Sequence, residues 1–572
     1  MKKFPIILLL VCLAIPDTFA QIMGNGHISG DFGFEGMYYL PDSLMGAREV
    51  KEKVRANTWL NLQYTNGGFT AGGRYEFYSY PLIDFEDIDY KGQGFTNYFL
   101  DYKNDFIQVT AGTFYEQFGN GFSLRAYEDR QLGIDNSILG ARVKVTPYKG
   151  ISIKGIWGIQ RKNFDFKYNE RKDHVRGIDA DFSFNDWIPQ MNEKGFSASF
   201  GGSFVSKYEK SVNEMYISVL KDSITQNYIL AADKIPQNVA IWSARLNFGY
   251  KGFQIESEYA HKNNDPNTTN QYIYKNGEAF ILTASYSTKG VGVSASFLRS
   301  DNMDFRSQRD ISSNTSLLSI NYIPTIHQPH TYALLNNYSY ASQNNGQIGV
   351  QAQVNYQIPK GSKLGGKYGV DLSLNYVRMH NIEQTLTDDA LAVGTMKGTE
   401  GYRSRFFKFG DQLLYQDLGF EISHRFNNKK WKLALAYNFV TYNIEILQGH
   451  ADPLFKGHNV VGTVHYKITA KHALKLELEH LYANESKSSL GGLLEYSFSP
   501  HWFISISDQW NYANESKEHR IHYYNISAAY VLKTTRIAAH FGKTEEGILC
   551  VGGVCRSVPA AYGFGLSITT SF

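Results

Sequence analysis

The side chains best placed to do chemistry lie between Phe114 and Gly140. There Gly119, Gly121 and Gly133 punctuate a run that carries Arg125, Tyr127, Glu128, Arg130 and Asp135. Glycines permit tight backbone bends. Guanidinium groups can fork onto carboxylates or onto an anionic solute. The same residues therefore fit two uses: a loop folded into a lumen to meet solute, or a latch whose charges fix that loop to a wall. Gly119 and Gly121 do not make a nucleotide signature, because no strand–helix unit surrounds them.

A second set of charges is spread over the chain. Arg142, Arg245, Glu256, Glu258, Lys475, Glu477 and Glu479 each fall in the polar phase of a segment whose other phase is apolar. Lys144, Asp371, Lys432 and Arg536 do the same. Mixed charge suits a hydrophilic passage or a salt-bridged interior, whereas ion selection would need charges grouped by sign. Cys550 and Cys555 flank Val551-Gly552-Gly553-Val554, and two cysteines closing such a turn in an exported chain predict a local disulfide. No histidine lies close to them in sequence to complete a metal site, and no metal or cofactor is expected. The chain holds neither Gly-x-Ser-x-Gly nor His-Glu-x-x-His. With no such nucleophile or zinc motif, no enzymatic activity is expected.

The stretch from Phe114 resembles a family of uncharacterised outer-membrane barrels from the Bacteroidota. The resemblance rests on the glycine bend, on Arg125-x-Tyr127-Glu128-x-Arg130, and on Leu132-Gly133-x-Asp135. It extends over most of the mature chain. It implies an outer-membrane barrel and supplies no catalytic residues.

The elements that must position these groups are strands. At the C-terminus Tyr562, Phe564, Leu566, Ile568, Thr570 and Phe572 alternate with glycine, serine and threonine. Successive strand residues point to opposite faces, so this segment has an apolar face for lipid and a polar face for a wet lumen. Tyr562, Phe564 and the terminal Phe572 also resemble an outer-membrane sorting signal. Other segments repeat the pattern. Trp242, Leu246 and Phe248 oppose Ser243, Arg245 and Asn247, and Leu474, Leu476 and Leu478 oppose Lys475, Glu477 and Glu479.

Composition agrees. Mean hydropathy is −0.34, and beyond the N-terminal region no apolar run reaches the length a spanning helix needs. The chain has 40 Tyr and 37 Phe against 14 Pro, which fits aromatic girdles at two membrane interfaces better than a soluble sandwich. Lys and Arg number 57 against 54 Asp and Glu. Without a basic tract, no nucleic-acid partner is expected. Lys2 and Lys3, the apolar run Phe4 to Ile15 (which contains Cys12) and Thr18-Phe19-Ala20 read as a secretory signal peptide over residues 1–20. Residues 21–572 then form one all-β domain, a single large antiparallel transmembrane barrel without a plug domain.

Tight turns are predicted at Asn66 to Gly68, Asn104-Asp105, Tyr148 to Gly150, Tyr250 to Gly252, Thr288 to Gly290, Asn427 to Lys430, Ala470 to His472, Ser499-Pro500 and Lys533-Thr534. Looser turns fit near Ile188 to Gly195, Thr325 to His330 and Lys360 to Gly366. Counting strands between them gives about 26, within a range of about 22 to 26, with both termini on the periplasmic side. A ring of about 26 strands would be on the order of 50 Å across. An open hole of that width would abolish the membrane barrier, so something must fill it: inward loops such as 118–137, a flattened cross-section, or a partner. The sequence thus favours a channel or transporter for a hydrophilic substrate, gated by inward loops. The alternative is a non-enzymatic accessory or scaffold subunit of an outer-membrane assembly or export complex, which would bind protein partners as well as lipid.

Overall fold

The computed structural model describes residues 26–83, 91–164, 173–210, 217–221, 228–232, 235–311, 318–449 and 451–572. The signal-peptide segment 1–20 lies outside them. So do residues 21–25, on which the expectation of no N-terminal plug bears.

The chain folds as a closed antiparallel β-barrel with a 24-stranded wall. Each wall strand pairs with the next along the chain, and the last, Ala561–Ser571, pairs with the first, His27–Tyr39, from Asp31 opposite Ser571 to Tyr39 opposite Gly563. Closure removes both edges of the wall sheet, so each wall strand has a partner on either side. Among the described residues no helix is long and apolar enough to cross a membrane.

The period-two alternation places side chains as expected. Leu246, Leu435, Leu478, Ile506 and Phe564 project outward and are 47–57% exposed. Arg245, Asn438, Glu477 and Glu479, in the opposite phase, face inward at 5–7% exposure. An exposed apolar outer face around a polar inner face is the cross-section of a membrane-spanning barrel, the inverse of a soluble protein.

All but one of the predicted turns join two wall strands on one rim, which is also where both chain ends lie. There the backbone of Phe572 exchanges two hydrogen bonds with Gly30, at 2.9 and 3.0 Å. The opposite rim carries the longer connections. The exception is the turn expected near Thr325 to His330, and it explains why the wall has 24 strands rather than about 26. Between the strands Val291–Asp301 and Gly346–Ile358, none of the described residues forms a wall strand. This segment turns inward, because its apolar residues bury on one another and not on lipid. Met303, Phe305 and Leu335 are fully buried, and Ile320 and Ile323 nearly so. A strand would have sent alternate members of this set outward.

The largest apolar core of the described residues therefore lies inside the barrel. It joins Phe118, Phe122 and Leu124 to Phe305, Ile320 and Leu335, and both groups to wall residues such as Val205, Ile241, Met379 and Val440. Burying a side chain of this size contributes about 1.5–3 kcal/mol. These wall residues sit in the strand halves next to the long-connection rim.

Candidate functional site

Three inward segments meet in that half of the lumen. The first insert is residues 115–137 and the second is 302–345. The third is a terminal hairpin, Gly547–Val551 paired with Val554–Val558. Each contacts the other two. The Arg125 amide donates to the Ile320 carbonyl and the Tyr322 amide to the Gly121 carbonyl, both at 2.8 Å. The Ser342 amide donates to Gly553 O at 2.9 Å, and the Tyr322 hydroxyl bonds to Gly552 O. Arg556 closes the ring by donating to Leu132 O at 3.0 Å. Cys550 and Cys555 are disulfide-bonded across the hairpin. Its tip, Gly552-Gly553, bonds to the second insert.

The glycine bend has a steric cause. Gly119 adopts φ +52°, and a Cβ there would stand 2.6 Å from both Arg245 Cδ and Glu258 Oε2. Only glycine lets the backbone come this close to the wall. The approach brings the Asn120 amide within 2.7 Å of Glu258 Oε2. Glu479 does the same for the second insert, accepting from the Ala333 and Leu334 amides at 2.9 and 3.2 Å. A wall carboxylate accepting insert amides makes a charge-assisted bond, stronger than a neutral one.

The charged part of the first insert is clamped to the wall. Asp135 bonds Arg161 at 2.5 Å and Arg74 at 3.2 Å. Glu128 bonds Arg74 at 2.7 Å and Arg130 at 2.5 Å. Glu76 completes the set by bonding Arg161 at 2.8 Å. Burial alone would raise the Asp135 carboxyl, but Arg161 and Arg74 outweigh it and hold the group below its ordinary value. The Arg125 guanidinium lies between the rings of Tyr127 and Tyr322, 4.1 and 3.9 Å from their centroids. Arg130 stacks on Trp59 at 3.9 Å. Of the two uses of this stretch, the contacts made are those of a latch.

The other predicted charges occupy separate places. Arg142 bonds Glu116 at 3.4 Å and approaches Asp101 at 3.7 Å. Arg245 bonds Asp179 and Asp181 at 2.7 and 2.8 Å. Lys475 lies 3.3 Å from both Glu477 and Glu495. Glu256 is exposed on the lumen face of its strand, opposite Asn247 and Thr283. Charges of opposite sign sit side by side, with no ring of one sign among these residues. Phe564 points outward, 47% exposed, and Tyr562 meets the Tyr524 hydroxyl at the far end of the closing strand.

Sequence reasoning missed the wall half of the latch. Arg74 and Glu76 share the inward phase of the strand Phe69–Tyr78, so the alternation that singled out Arg245 could have found them. It also missed a second ionic cluster, where Lys207 bonds Asp265 at 2.7 Å and Arg309 bonds Glu209 at 2.9 Å. In the same cluster Lys207 and Lys262 donate to the carbonyls of Arg306 and Asp304 in the second insert. No periodic signal marks Arg306 and Arg309, which lie in irregular chain. One group among the described residues has metal-holding spacing, His327, His330 and Asp417, and it lies apart from the latch.

Below the inserts, toward the short-turn rim, the lumen opens into a cavity of about 860 Å³. Asp31, Asn61, Asp101, Gln108 and Arg142 line it, with Arg74 and Tyr115 at the base of the first insert. A smaller space of about 390 Å³ lies between the inserts, bordered by Tyr127, Tyr322, Asn345 and Gly553.

Glu545 leads into the hairpin and carries a titratable contact. Burial, with Glu546 beside it, raises its carboxyl to about 7, while a hydrogen bond from Asn337 of the second insert acts the other way. The neutral form is the one this position accommodates. Its contribution is complete below the unfolded value near 4.5 and is lost as pH rises through about 7. Amide exchange of residues 547–558, corrected for intrinsic pH dependence, should therefore accelerate between about pH 5 and about pH 8. Glu545→Gln should flatten that rise, and an equal rise in the variant would remove Glu545 as its cause.

The whole chain, residues 1–572, matches the model of a family of unknown function, DUF6029, and the chain belongs to that family. No curated protein matches it. Among solved structures, the siderophore receptor PirA from Pseudomonas aeruginosa aligns over 96% of this chain and 80% of its own, at 10% identity and a TM-score of 0.40. The P pilus usher PapC translocation pore aligns over 95% and 99%, at 8% identity and 0.36. OccK3 (OpdO) of Pseudomonas aeruginosa aligns over 84% and 96%, at 11% identity and 0.33. Scores and identities this low carry no functional weight.

Proposed function

We propose that this member of the DUF6029 family is an outer-membrane channel or transporter for small hydrophilic solutes, closed by its own three inserts and opened by their rearrangement. One observation carries the reading. A cavity of about 860 Å³, lined by Asp31, Asn61, Asp101, Gln108 and Arg142, leads from the short-turn rim to the base of the first insert. A barrel serving only as a docking platform has no need of a polar vestibule ending at a clamped loop. Because acids and bases alternate along the wall, the lumen presents no strong field of one sign. That favours neutral or zwitterionic solutes over ions. In this reading residues 1–20 are removed on export, the short-turn rim and both termini face the periplasm, and the long connections face outward. Lipid is the barrel's surroundings, and no turnover of substrate is involved.

The test is reconstitution of the purified full chain into planar bilayers and liposomes. We expect brief, low-conductance openings with weak ion selectivity, and slow swelling in neutral solutes of sugar size. Complete silence across voltage, pH and reductant would sink the transport reading. Recovery of a stoichiometric protein partner from mild detergent, together with that silence, would replace it with the scaffold reading.

A further inference from the structure

Between the second insert and the wall, three ligating side chains converge away from the latch. His327 and His330 come from the insert, and Asp417 comes from the inward phase of the strand Phe409–Phe426. One donor atom from each lies within 4.8 Å of the others. His330 Nε2 stands 3.2 Å from Asp417 Oδ2. The group is deeply buried: His327 is 5% exposed, Asp417 1%, and the His330 side chain 6%. Yet His327 Nε2, His330 Nε2 and Asp417 Oδ1 make no hydrogen bond. The Tyr415 ring packs edge-on to His327 at 4.8 Å, and its hydroxyl is also without a partner.

We propose that His327, His330 and Asp417 bind one divalent transition-metal ion of the zinc class, which staples the second insert to the barrel wall. Buried polar atoms left unpaired are costly, and a protein gathers several in one place when a shared ligand satisfies them together. Two imidazole nitrogens and one carboxylate oxygen have a cation in common. Nitrogen donors select zinc-class ions over calcium or magnesium, which take oxygen ligands. Tetrahedral zinc, with bonds of about 2.0–2.2 Å, holds its donors roughly 3.4 Å apart. The His330–Asp417 pair, at 3.2 Å, is close to that separation, and the His327 donor lies within 4.8 Å of both. Three protein donors leave the fourth position to water or to the Tyr415 hydroxyl.

The staple does not depend on what the barrel carries. The folded, full-length protein in detergent is stripped with chelator, dialysed against Zn²⁺ and assayed by elemental analysis. Co²⁺ substitution gives a second readout, as absorption bands of a four-coordinate site. We expect about one equivalent of Zn²⁺ per chain in the wild type. The melting temperature should fall on chelation and recover when Zn²⁺ is restored. In the His327→Gln/His330→Gln variant, affinity should drop by about a hundredfold or more. Asp417→Asn should do the same if it folds, and heat-modifiable migration shows whether each variant does. The proposal is overturned if folded wild type takes up less than about a tenth of an equivalent. It is equally overturned if the double variant retains full uptake, or if the site takes Ca²⁺ or Mg²⁺ in place of Zn²⁺.

Discussion

Excising residues 302–345 and joining Asp301 to Gly346 through a short Gly-Ser turn should raise single-channel conductance by roughly tenfold or more over the intact chain. The wall does not need this segment. The strands on either side, Val291–Asp301 and Gly346–Ile358, already pair from Val291 opposite Tyr356 to Asp301 opposite Gly346. What excision removes is the central member of the plug, the segment that holds Gly121 on one side and Gly552-Gly553 on the other. Phe118 and Phe122 then lose Phe305, Ile320 and Leu335 as apolar partners, and the terminal hairpin loses its hydrogen bonds to Tyr322 and Ser342. Planar-bilayer recording on the folded variant, checked by heat-modifiable migration, is the measurement. A folded variant with unchanged conductance would show that the second insert is not what blocks the lumen.

Arg161→Ala should release the first insert while leaving the wall closed. Arg161 is 1% exposed and bonds two buried carboxylates, Asp135 and Glu76. Removing the guanidinium leaves Arg74 to serve Asp135 and Glu76 as well as Glu128, which it shares with Arg130. Breaking a buried pair from one side typically costs about 3–5 kcal/mol, because the charge left behind is uncompensated. The strand ladder beside it involves backbone only and is untouched. We therefore expect the loss as local opening: faster amide exchange and earlier proteolysis within residues 119–135, with exchange in Ile151–Gln160 little changed. Wild-type protection of 119–135 would show that the charges are not what holds the insert. Uniform loss across the wall would show that the latch also supports the barrel.

The wall was legible in the sequence because lipid outside and water inside force a strict alternation, and each tight turn leaves a local chemical mark. Trp242 to Tyr250, Trp431 to Phe439 and Leu474 to Glu479 all face as their phase predicts. The plug was only half legible. Its first insert shows itself through glycines and paired charges close in sequence, and Gly119 proves to be where the backbone meets Arg245 and Glu258. The second insert deceived. Its apolar residues resemble strand residues when read locally, and only the alternative of burying on Phe118 and Phe122 reveals them as core. That alternative is a contact across nearly two hundred residues, which no local pattern records. The convergence of His327 and His330 with Asp417 was hidden for the same reason.

All three inserts leave the wall from the same rim and return to it there, so every one is tethered at both ends. Such a stopper cannot be expelled as a body; any passage must come from parts of it swinging aside. The tethering also sets an order of construction. The hairpin that completes the plug is the last connection in the chain, and the strand that follows it, Ala561–Ser571, is the one that seals the wall against His27–Tyr39. Filling the interior and closing the cylinder are therefore steps of a single event. An assembly machine that releases this barrel once its seam has zipped would release it already corked.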